Sequence, residues 1–509
     1  MAKVFQTQIS ILWLKRCRLM RVCLINPPRI QPKAWGKPSV YQPMDLAYVA
    51  AVLEQKHELL VIDVPNEGWE LLEEIDGGKY RQGLPNSEIA ARIKRFEPKL
   101  VVMAVPYSGW ASAAFEVAET VKGVDRSIKI ALTGLHPSSR PNECLQQANV
   151  DFVVIGEQEM TTLELADTLE KGTVEDLKKV KGLGFLENGK VIITASRPVI
   201  EDLDSMPFPA RHLLPMKQFF EAAKKIPISG NLKKPSIRML TSRGCPYGCI
   251  FCSNHIVMGR KWRARSAENV VAEIEQIVKT YGIHQIDFLD DNIAFNRERL
   301  VKICNLMIEK GLKVEWCTPN GVRADALDPE LLALMRKAGC KKILIAPESG
   351  VQRIVDDVLK KKQSLNCVEE AVSAAHKVGI KVGCFFILGM IGENKEDMKE
   401  TIAFAHKLRH LGAEYFYFSY ATPLYGTELY RLAKEGNYLT SDFSDDALSA
   451  VQPLIETPEF TADDLRCLAA EANLVNPTVT HERLLRAIRN PKKALEILLA
   501  RKKIKQNVS

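Results

Sequence analysis

The sequence lacks any apolar run long enough to cross a bilayer. The longest, from Val382 to Gly392, is well short of the roughly 20 residues that a membrane-spanning helix needs, so an integral membrane protein is not expected. Cysteine is scarce, with 12 in 509 residues, which excludes a disulfide scaffold. The net charge is only +8, too small an excess to indicate a nucleic-acid-binding protein. Apolar residues make up 46%, which excludes disordered, collagen-like and coiled-coil chains.

The first nineteen residues do not resemble a secretory signal. Their apolar stretch, Ile9–Leu14, precedes the basic stretch Lys15–Arg18, whereas a secretory signal carries its positive charges first. Met20 directly precedes a strand-like run, so we interpret residues 1–19 as an N-terminal extension or a misplaced start. We expect a cytoplasmic protein, in which scattered cysteines are small buried hydrophobic residues.

Short apolar strands alternate with longer helices over residues 20–171. The predicted strands are Arg21–Ile25, Glu58–Asp63, Leu100–Val105, Lys129–Thr133 and Asp151–Ile155. Strands buried on both faces and separated by helices are typical of an α/β fold with a doubly wound parallel sheet. Ligands of such sheets bind beyond the carboxyl ends of the strands, where this sequence places small or hydrogen-bonding residues.

A second series of strands and helices follows a predicted linker at residues 172–235, which contains an Asn188-Gly189 hairpin turn. The strands predicted over residues 236–436 are Ile237–Thr241, Gln285–Leu289, Val314–Thr318, Ile343–Ala346, Lys381–Leu388 and Tyr415–Tyr420. Six such units favour a partial (β/α)6 TIM-type barrel, with its site at the carboxyl ends of the strands. Residues 437–509 are predicted to form a helical C-terminal region.

Three cysteines lie together at the end of the first barrel strand. Cys245, Cys249 and Cys252 have the spacing C-x3-C-x2-C in a loop that also contains Gly244, Pro246 and Gly248. Such a loop can fold three thiolates around one metal centre, and three protein ligands leave one iron of a four-iron cluster open. Two alternatives remain: a zinc site with His255 as the fourth ligand, and three buried cysteines without a metal.

The cysteine motif and the strand ends that follow it resemble the radical S-adenosylmethionine (SAM) superfamily over residues 237–434. The resemblance implies that the three cysteines hold a [4Fe–4S] cluster whose open iron chelates SAM. In this family the reduced cluster cleaves SAM to a 5′-deoxyadenosyl radical, which abstracts hydrogen from an unactivated carbon. The resemblance also implies a set of SAM-binding residues at successive strand ends: Phe251, Asp290, Arg323, Glu348, Ser349, Gly389 and Glu393.

Three of these residues also have simpler interpretations. Asp290 can belong to the N-terminal cap of the helix that begins near Arg297. Arg323 can be a surface arginine, and Glu393 can begin the next helix, a common use of an acidic residue. No further catalytic residue is assigned.

The loops at the strand ends of the first domain resemble the cobalamin-binding domain of class B radical SAM enzymes. The cobalamin contacts that this resemblance implies are Pro27, Tyr107, Ser108, Gly134, His136, Gly156 and Glu157. The Asp-x-His-x-x-Gly signature of methionine-synthase-type domains is absent from the sequence, and His136 is more simply a loop histidine. The lower cobalt ligand is therefore open: water, a side chain of the Tyr107–Trp110 loop, or none. A domain that has lost cobalamin and become structural is the remaining alternative.

Together these resemblances imply a cobalamin-dependent radical SAM enzyme that methylates an unactivated carbon of a small-molecule or lipid substrate. The electron donor would be flavodoxin or ferredoxin, and we expect no nucleic-acid partner. Two alternatives are a radical SAM cyclase or rearrangement enzyme without methyl transfer, and a zinc-stabilised RNA-binding protein. A tRNA methylthiotransferase is disfavoured, because the N-terminal half has no second trio of suitably spaced cysteines.

Basic residues alternate with leucine and isoleucine from His481 to the C-terminus. This amphipathic pattern has two interpretations. The tail either rests on an anionic membrane surface, which would make the cytoplasmic protein peripheral to the membrane, or forms a solvated helix packed on the barrel.

Overall fold

The computed structural model describes residues 20–33, 38–75, 78–225, 235–448 and 451–476. The predicted N-terminal extension and the basic tail lie outside these residues, so what the sequence indicates for them stays a prediction. No helix in the described ranges combines the length and the apolar character that crossing a membrane requires.

The first domain is a doubly wound sheet, as predicted. Its described residues form the strands β1 (Arg21–Asn26), β2 (Arg29–Pro32), β3 (Glu58–Asp63), β4 (Leu72–Ile75), β5 (Lys79–Gln82), β6 (Leu100–Ala104), β7 (Lys129–Thr133), β8 (Phe152–Val154), β9 (Leu183–Glu187) and β10 (Lys190–Ile193). Seven of them pair in the order β10-β9-β8-β7-β6-β1-β3, while β2, β5 and β4 form a small antiparallel sheet. The strands β1, β3, β6, β7 and β8 are parallel.

Helices cover both faces of this sheet, which explains why its strands read as continuous apolar runs. They are α1 (Met44–Leu53), α2 (Val64–Glu67), α3 (Asn86–Phe96), α4 (Ala111–Val124), α5 (Leu135–Ser139), α6 (Pro141–Gln146), α7 (Gln158–Lys171) and α8 (Val174–Leu177). Adjacent residues of β1 enter different cores: Cys23 and Ile25 pack on one side of the sheet, and Val22 and Leu24 on the other.

The first domain extends beyond its predicted boundary at residue 171. The strands β9 and β10 lie inside the predicted linker, yet β9 pairs antiparallel with β8 and so enlarges the first sheet. Asn188 and Gly189 between them have φ of +50° and +75°, as a two-residue hairpin turn requires. The linker prediction is wrong for this hairpin because a turn signal does not reveal which distant strand the hairpin will join.

The second domain is a partial barrel. Its strands are β11 (Ile237–Met239), β12 (Ser242–Arg243), β13 (Arg263–Ala264), β14 (Gln285–Phe288), β15 (Glu315–Val322), β16 (Cys340–Glu348), β17 (Lys381–Leu388) and β18 (Ala413–Tyr420). Six are parallel in the order β11-β14-β15-β16-β17-β18, and β11 and β18 form the two edges of this sheet. All six correspond to predicted strands.

Helix α9 (Met216–Lys225) precedes the barrel. The helices that follow it are α10 (His255–Met258), α11 (Ala267–Tyr281), α12 (Arg297–Glu309), α13 (Pro329–Lys337), α14 (Leu365–Lys377), α15 (Lys395–His410), α16 (Glu428–Glu435) and α17 (Ala462–Ala472).

Alternate residues of the barrel strands face the surrounding helices and the interior. On β14, Ile286 and Phe288 belong to the core between sheet and helices, so the intervening Asp287 points inward. Asp287 accepts hydrogen bonds from Ser236 Oγ at 2.7 Å and from Cys317 Sγ at 2.8 Å, which offset the cost of burying its carboxylate.

The C-terminal region contacts both domains. Leu465 and Leu468 of α17 join the barrel core. Before this helix, Asp446 accepts hydrogen bonds from Lys79 Nζ at 2.7 Å and from Ser112 Oγ at 3.1 Å, both in the first domain. The described part of the predicted helical region is therefore a chain segment that returns to the first domain, followed by one helix.

Candidate active site

The three motif cysteines lie in one loop between β12 and α10. All three are free thiols with partly exposed side chains. Residues Arg243 and Arg263 face each other in the β12–β13 pair, which closes residues 244–262 into a loop, here called the cluster loop. Gly244 has φ +82°, and a Cβ there would lie 2.3 Å from the carbonyl oxygen of Lys261. Glycine is therefore required at the base of the loop.

The charges around the cluster loop favour thiolates that are bound to a cation. Burial raises the pKa of the Cys252 thiol to about 11, and the neighbouring Cys249 and Cys245 also raise it. Burial likewise raises the pKa of Cys249, whereas the nearby Lys361 ammonium lowers it. Thiols that disfavour each other's ionisation are stabilised as thiolates by a shared metal centre. Three thiols from one partly exposed loop therefore fit a [4Fe–4S] cluster.

A zinc site would need His255 to converge with the three cysteines on one ion. His255 Nδ1 lies 3.0 Å from the carbonyl oxygen of Cys252. Within the described ranges, no three His, Cys, Asp or Glu side chains converge as a single metal ion requires. A cubane needs no such convergence, because each cysteine binds a different iron. Phe251, between the second and third cysteines, packs partly buried against the barrel core.

Asp290 holds the cluster loop in place. Its Oδ1 accepts a hydrogen bond from Thr241 Oγ1 at 2.6 Å and another from Ser242 Oγ, and its Oδ2 accepts from the Thr241 amide at 3.2 Å. These bonds join the end of β14 to the chain segment that enters the cluster loop. Both carboxylate oxygens are thereby engaged within the protein. We therefore correct the prediction that Asp290 binds SAM: it is a positioning residue.

Asp291 is the carboxylate that faces the cluster loop. It raises the pKa of the Cys245 and Cys252 thiols, and Asn254 Nδ2 donates a hydrogen bond to it. Burial and the adjacent Asp290 raise the pKa of Asp291 to about 6. Asp291 lies three residues beyond the end of β14, so its contact with Asn254, not strand alternation, distinguishes the two carboxylates.

Arg323 is engaged with the protein itself. Its guanidinium forms a two-point ion pair with Asp325, with an Nε–Oδ1 distance of 3.0 Å and an Nη2–Oδ2 distance of 2.6 Å. It also donates to the carbonyl oxygens of Lys361 and Lys362 and lies 3.8 Å above the ring of Tyr247 in the cluster loop. The prediction that Arg323 pairs with the SAM carboxylate is corrected: Arg323 supports the cluster loop.

Glu348 stands beside the cluster loop, as the family resemblance implied. It ends β16 with φ +67°, an uncommon conformation for a residue with a side chain. Its Oε1 accepts a hydrogen bond from Lys361 Nζ at 2.7 Å, and both side chains are 9% exposed. Ser349, in contrast, is fully buried and lies 3.0 Å from Thr401 Oγ1 on α15. The predicted SAM contact of Ser349 is therefore corrected to a structural role.

Gly389 and Glu393 form one closed turn after β17. Glu393 Oε2 accepts hydrogen bonds from the amides of Gly389 at 3.0 Å and Met390 at 2.8 Å. A Cβ at Gly389, where φ is +86°, would lie 2.7 Å from Leu465 Cδ1. Burial raises the pKa of Glu393 to about 8, and its Oε1 has no hydrogen-bond partner among the described residues. The turn presents its backbone at the same end of the barrel as Glu348.

The predicted cobalamin residues lie at the carboxyl ends of the first-domain strands. Gly134 has φ +115°, and a Cβ there would lie 2.8 Å from the carbonyl oxygen of Val105. Gly156 has φ +79°, and a Cβ built there would meet open space, while its amide donates a hydrogen bond to Ser138 Oγ at 3.1 Å. Tyr107 is 53% exposed, whereas Pro27 is buried. This edge thus combines open space beside Gly156 with an exposed aromatic ring.

His136 and Ser108 lie beneath this edge. His136 is 2% exposed, and its Nδ1 lies 3.0 Å from Ser108 Oγ, which is also buried. Burial lowers the pKa of His136 to about 4, so its imidazole is neutral near pH 7. Both side chains are buried and face each other beneath the Tyr107–Trp110 loop, so a direct cobalamin contact by either side chain is not seen here.

Glu157 belongs to a buried ion cluster between the domains. The interdomain ion cluster comprises Glu157 and Glu159 of the first domain and Arg243 and Arg263 of the barrel. These four side chains are at most 4% exposed. The predicted cobalamin contact of Glu157 is therefore corrected, because its carboxylate is taken up by arginines more than 80 positions away in the sequence.

A cavity of about 260 Å³ lies beside the Tyr107–Trp110 loop. Tyr107 and Trp110 line it from the first domain, and Asp446 and Leu448 line it from the returning C-terminal segment. The guanidinium of Arg29 lies 3.6 Å from the centre of the Trp110 ring. The sequence pattern did not reveal this cavity, because its walls come from four segments that are distant in the sequence.

Comparison with known families assigns both halves of the chain. Residues 239–405 match the radical SAM superfamily, and residues 38–166 match the B12 binding domain. The two matches fall within the two predicted domains and have the predicted order.

Two curated relatives are similar over nearly the whole chain. An uncharacterized methyltransferase of Pyrococcus horikoshii is 30% identical over 459 residues, which are 89% of this chain and 92% of the relative. The cytidylyl-2-hydroxyethylphosphonate methyltransferase of Streptomyces wedmorensis is 30% identical over 90% of each chain. The anaerobic magnesium-protoporphyrin IX monomethyl ester cyclase of Cereibacter sphaeroides is 29% identical over 63% of this chain and 51% of its own.

Among solved structures, the fold is similar to that of TsrM, a radical SAM methyltransferase from Kitasatospora setae solved with cobalamin and a [4Fe–4S] cluster. The TM-score is 0.65 at 16% sequence identity, with 86% of this chain and 82% of the other covered. At this identity the similarity concerns the fold. Both domains and their arrangement are thus shared.

Proposed function

This chain belongs to the radical SAM superfamily, in the branch that carries a B12-binding domain before the barrel, and from that premise we propose a methyltransferase that acts on an unactivated carbon of a small molecule. The observation that carries the proposal is the buried contact between the two domains. The interdomain ion cluster joins the base of the cluster loop to the strand ends of the B12-binding domain. An enzyme that uses a cluster and cobalamin on one substrate needs these two sites side by side.

Cys245, Cys249 and Cys252 are the proposed ligands of the [4Fe–4S] cluster, with one iron left for SAM. When bound, the cluster supplies the electron that cleaves SAM, and cobalamin supplies the methyl group. The proposed SAM contacts are Phe251, Asp291, Glu348 and the turn from Gly389 to Glu393. The proposed cobalamin contacts are Pro27, Tyr107, Gly134 and Gly156.

The protein's own side chains prepare this site electrostatically. The Lys361 ammonium lowers the pKa of the Cys249 thiol, while the Glu348 carboxylate raises it. Lys361, which is paired with Glu348, also lowers the pKa of the Cys245 thiol, so its charge favours the loss of protons from two of the three thiols. Asp291 has a raised pKa of about 6 and is still mostly ionised at pH 7, as the recognition of a SAM ammonium group requires.

We further propose flavodoxin or ferredoxin as the electron donor, as the family resemblance implies.

A peripheral membrane contact through the basic tail remains part of the proposal. It predicts that the full-length protein floats with anionic liposomes at low salt, and absence of flotation would remove it.

A cyclase without methyl transfer is the second candidate, supported by the 29% identity to the Cereibacter sphaeroides enzyme. The methyltransferase is preferred because both methyltransferase relatives match over about nine-tenths of the lengths of both chains, whereas the cyclase match covers about half of the cyclase.

Labelled SAM distinguishes the two candidates. The protein is reconstituted anaerobically with iron, sulfide and hydroxocobalamin, given SAM with a labelled methyl group and a reductant, and incubated with a small-molecule extract. Label on an extract component together with 5′-deoxyadenosine supports the methyltransferase. 5′-Deoxyadenosine without label transfer indicates the cyclase. If neither 5′-deoxyadenosine nor a labelled component is formed, both candidate functions are contradicted. A Cys249→Ala variant is the control for cluster-independent methylation.

A further inference from the structure

The interdomain ion cluster ties the first domain to both ends of the cluster loop. Glu157 Oε1 accepts hydrogen bonds from Arg243 Nη1 at 3.1 Å and from Arg263 Nη1 at 2.9 Å. Glu159 Oε1 accepts from Arg243 Nη2 at 2.6 Å. Arg243 lies two residues before Cys245, and Arg263 follows the loop directly. One pair of carboxylates therefore holds the entry and the exit of the loop that carries the cysteines.

Each arginine is also held by further contacts. Arg263 donates to the carbonyl oxygens of Ile200 and Met258, both at 2.6 Å. The guanidinium of Arg243 lies 5.1 Å from the centre of the Tyr48 ring on α1. Glu157 Oε2 in turn accepts a hydrogen bond from the Ile200 amide at 2.6 Å. These contacts allow the four charged groups little freedom of position.

Glu157 directly follows Gly156, which belongs to the proposed cobalamin edge. The glutamates thus occupy the start of α7, at the strand end next to that edge, while their partners occupy the base of the cluster loop. A buried ion pair contributes little net stability, because desolvation offsets the attraction, but it specifies geometry strictly. Two glutamates and two arginines balance in charge, so a rigid joint forms without an uncompensated ion.

We propose that Glu157 and Glu159 are positioning residues that set the distance and orientation between the cluster and cobalamin by locking Arg243 and Arg263. This inference rests on the proposed function, since it presumes that both groups bind. It assigns to the strand-end glutamates a role in joining the two sites. Misplacement of reacting groups by about 1 Å can slow a reaction about a hundredfold, so such a joint matters for catalysis.

The test measures the distance between the two paramagnetic centres. Reconstituted protein is reduced to the [4Fe–4S]⁺ and cob(II)alamin states, and pulsed electron paramagnetic resonance gives their interspin distance distribution. We expect a single narrow distribution in the unaltered protein and a broader or shifted one in Glu157→Gln. The matched control is Glu164→Gln, on the same helix, whose partner Arg197 lies outside the cluster; it should leave the distribution unchanged.

A second measurement needs no bound cofactor. In the apoprotein, the amides of Ser242 and Arg243 should exchange with deuterium about a hundredfold faster in Glu157→Gln than in Glu164→Gln, the scale expected when one partner of a buried pair is lost. If Glu157→Gln does not fold, Glu159→Gln, which removes the negative charge from the contact with Arg243 Nη2 alone, provides both measurements.

The outcomes separate this inference from the proposed function. Unaltered distance and unaltered exchange in the glutamate variants would overturn the positioning role while both cofactors remain bound. An unaltered protein that binds the cluster but no cobalamin would overturn the proposed function, and the inference with it. A changed distance with normal iron and cobalamin content supports both.

Discussion

Gly244→Ala tests whether the geometry of the cluster loop governs cluster assembly. At φ +82°, a side chain costs about 1–2 kcal/mol of backbone strain. The new Cβ would also lie 2.3 Å from the carbonyl oxygen of Lys261, and relieving such overpacking costs about 1–3 kcal/mol more. The closed loop is therefore destabilised by about 2–5 kcal/mol, the sum of these two ranges, and the β12–β13 pair must open or shift.

Gly248→Ala is the matched control in the same loop, because no atom of the described chain lies within 4 Å of a Cβ built at residue 248. Both variants are reconstituted anaerobically, and iron and sulfide per chain are measured together with the absorption of the cluster. We expect Gly248→Ala to assemble the cluster normally and Gly244→Ala to lose most of it. Normal iron and sulfide in Gly244→Ala would refute the reasoning that the closed loop is required.

Three further changes test individual residues. Asp290→Asn should reduce cluster assembly, because Asp290 bonds the chain segment that enters the cluster loop. Asp291→Asn should keep the normal iron content but weaken SAM binding, measured by calorimetry. The reverse pattern would mean that the two residues have the opposite roles. Tyr107→Ala should weaken hydroxocobalamin binding, followed by absorption, because it removes the exposed ring of the proposed cobalamin edge. The iron content should not change, and equal loss of both would indicate misfolding. Burial raises the pKa of Glu393 from 4.5 to about 8, so between these values the native protein retains a proton that the unfolded chain has released. Stability therefore falls as pH rises through this range, and Glu393→Gln should flatten that fall in thermal unfolding of the apoprotein; an unchanged slope would contradict the assignment.

Much of the fold follows from local patterns. The apolar runs of β1, β3, β6, β7 and β8 predicted the parallel core of the first sheet, and the barrel strands were found in the same way. The β9–β10 hairpin was recognised as a turn but assigned to a linker, since its partner strand β8 lies about 30 residues earlier. The small sheet of β2, β4 and β5 was not predicted, because four-residue strands give little periodicity.

The site was predictable where chemistry depends on spacing and unpredictable where it depends on distant partners. Cys245, Cys249 and Cys252 follow one another within eight residues, so their shared loop is a local feature. The family resemblance implied a cobalamin contact for Glu157. Its arginine partners lie 86 and 106 positions away, so no local pattern shows that they bind its carboxylate. Likewise, no local pattern shows that the Arg323 guanidinium donates hydrogen bonds to two carbonyl oxygens of a later loop.

The sequence does not distinguish Asp290 from Asp291. The motif places two adjacent carboxylates beyond β14, which ends at Phe288. Strand alternation stops there, so it does not predict which of the two side chains faces the cluster loop. Their contacts distinguish them: Asp290 bonds Thr241 and Ser242, whereas Asp291 accepts a hydrogen bond from Asn254 of the cluster loop.

The open iron of the proposed four-iron cluster, held by three thiolates, is the feature on which the proposed chemistry depends. Electron paramagnetic resonance of the anaerobically reconstituted, dithionite-reduced protein tests it directly when SAM labelled with ¹⁵N in its amino group is added. We expect a [4Fe–4S]⁺ signal that changes on addition of SAM and shows a hyperfine coupling to the ¹⁵N nucleus. A missing cluster signal, or one that SAM leaves unchanged and uncoupled, would contradict it.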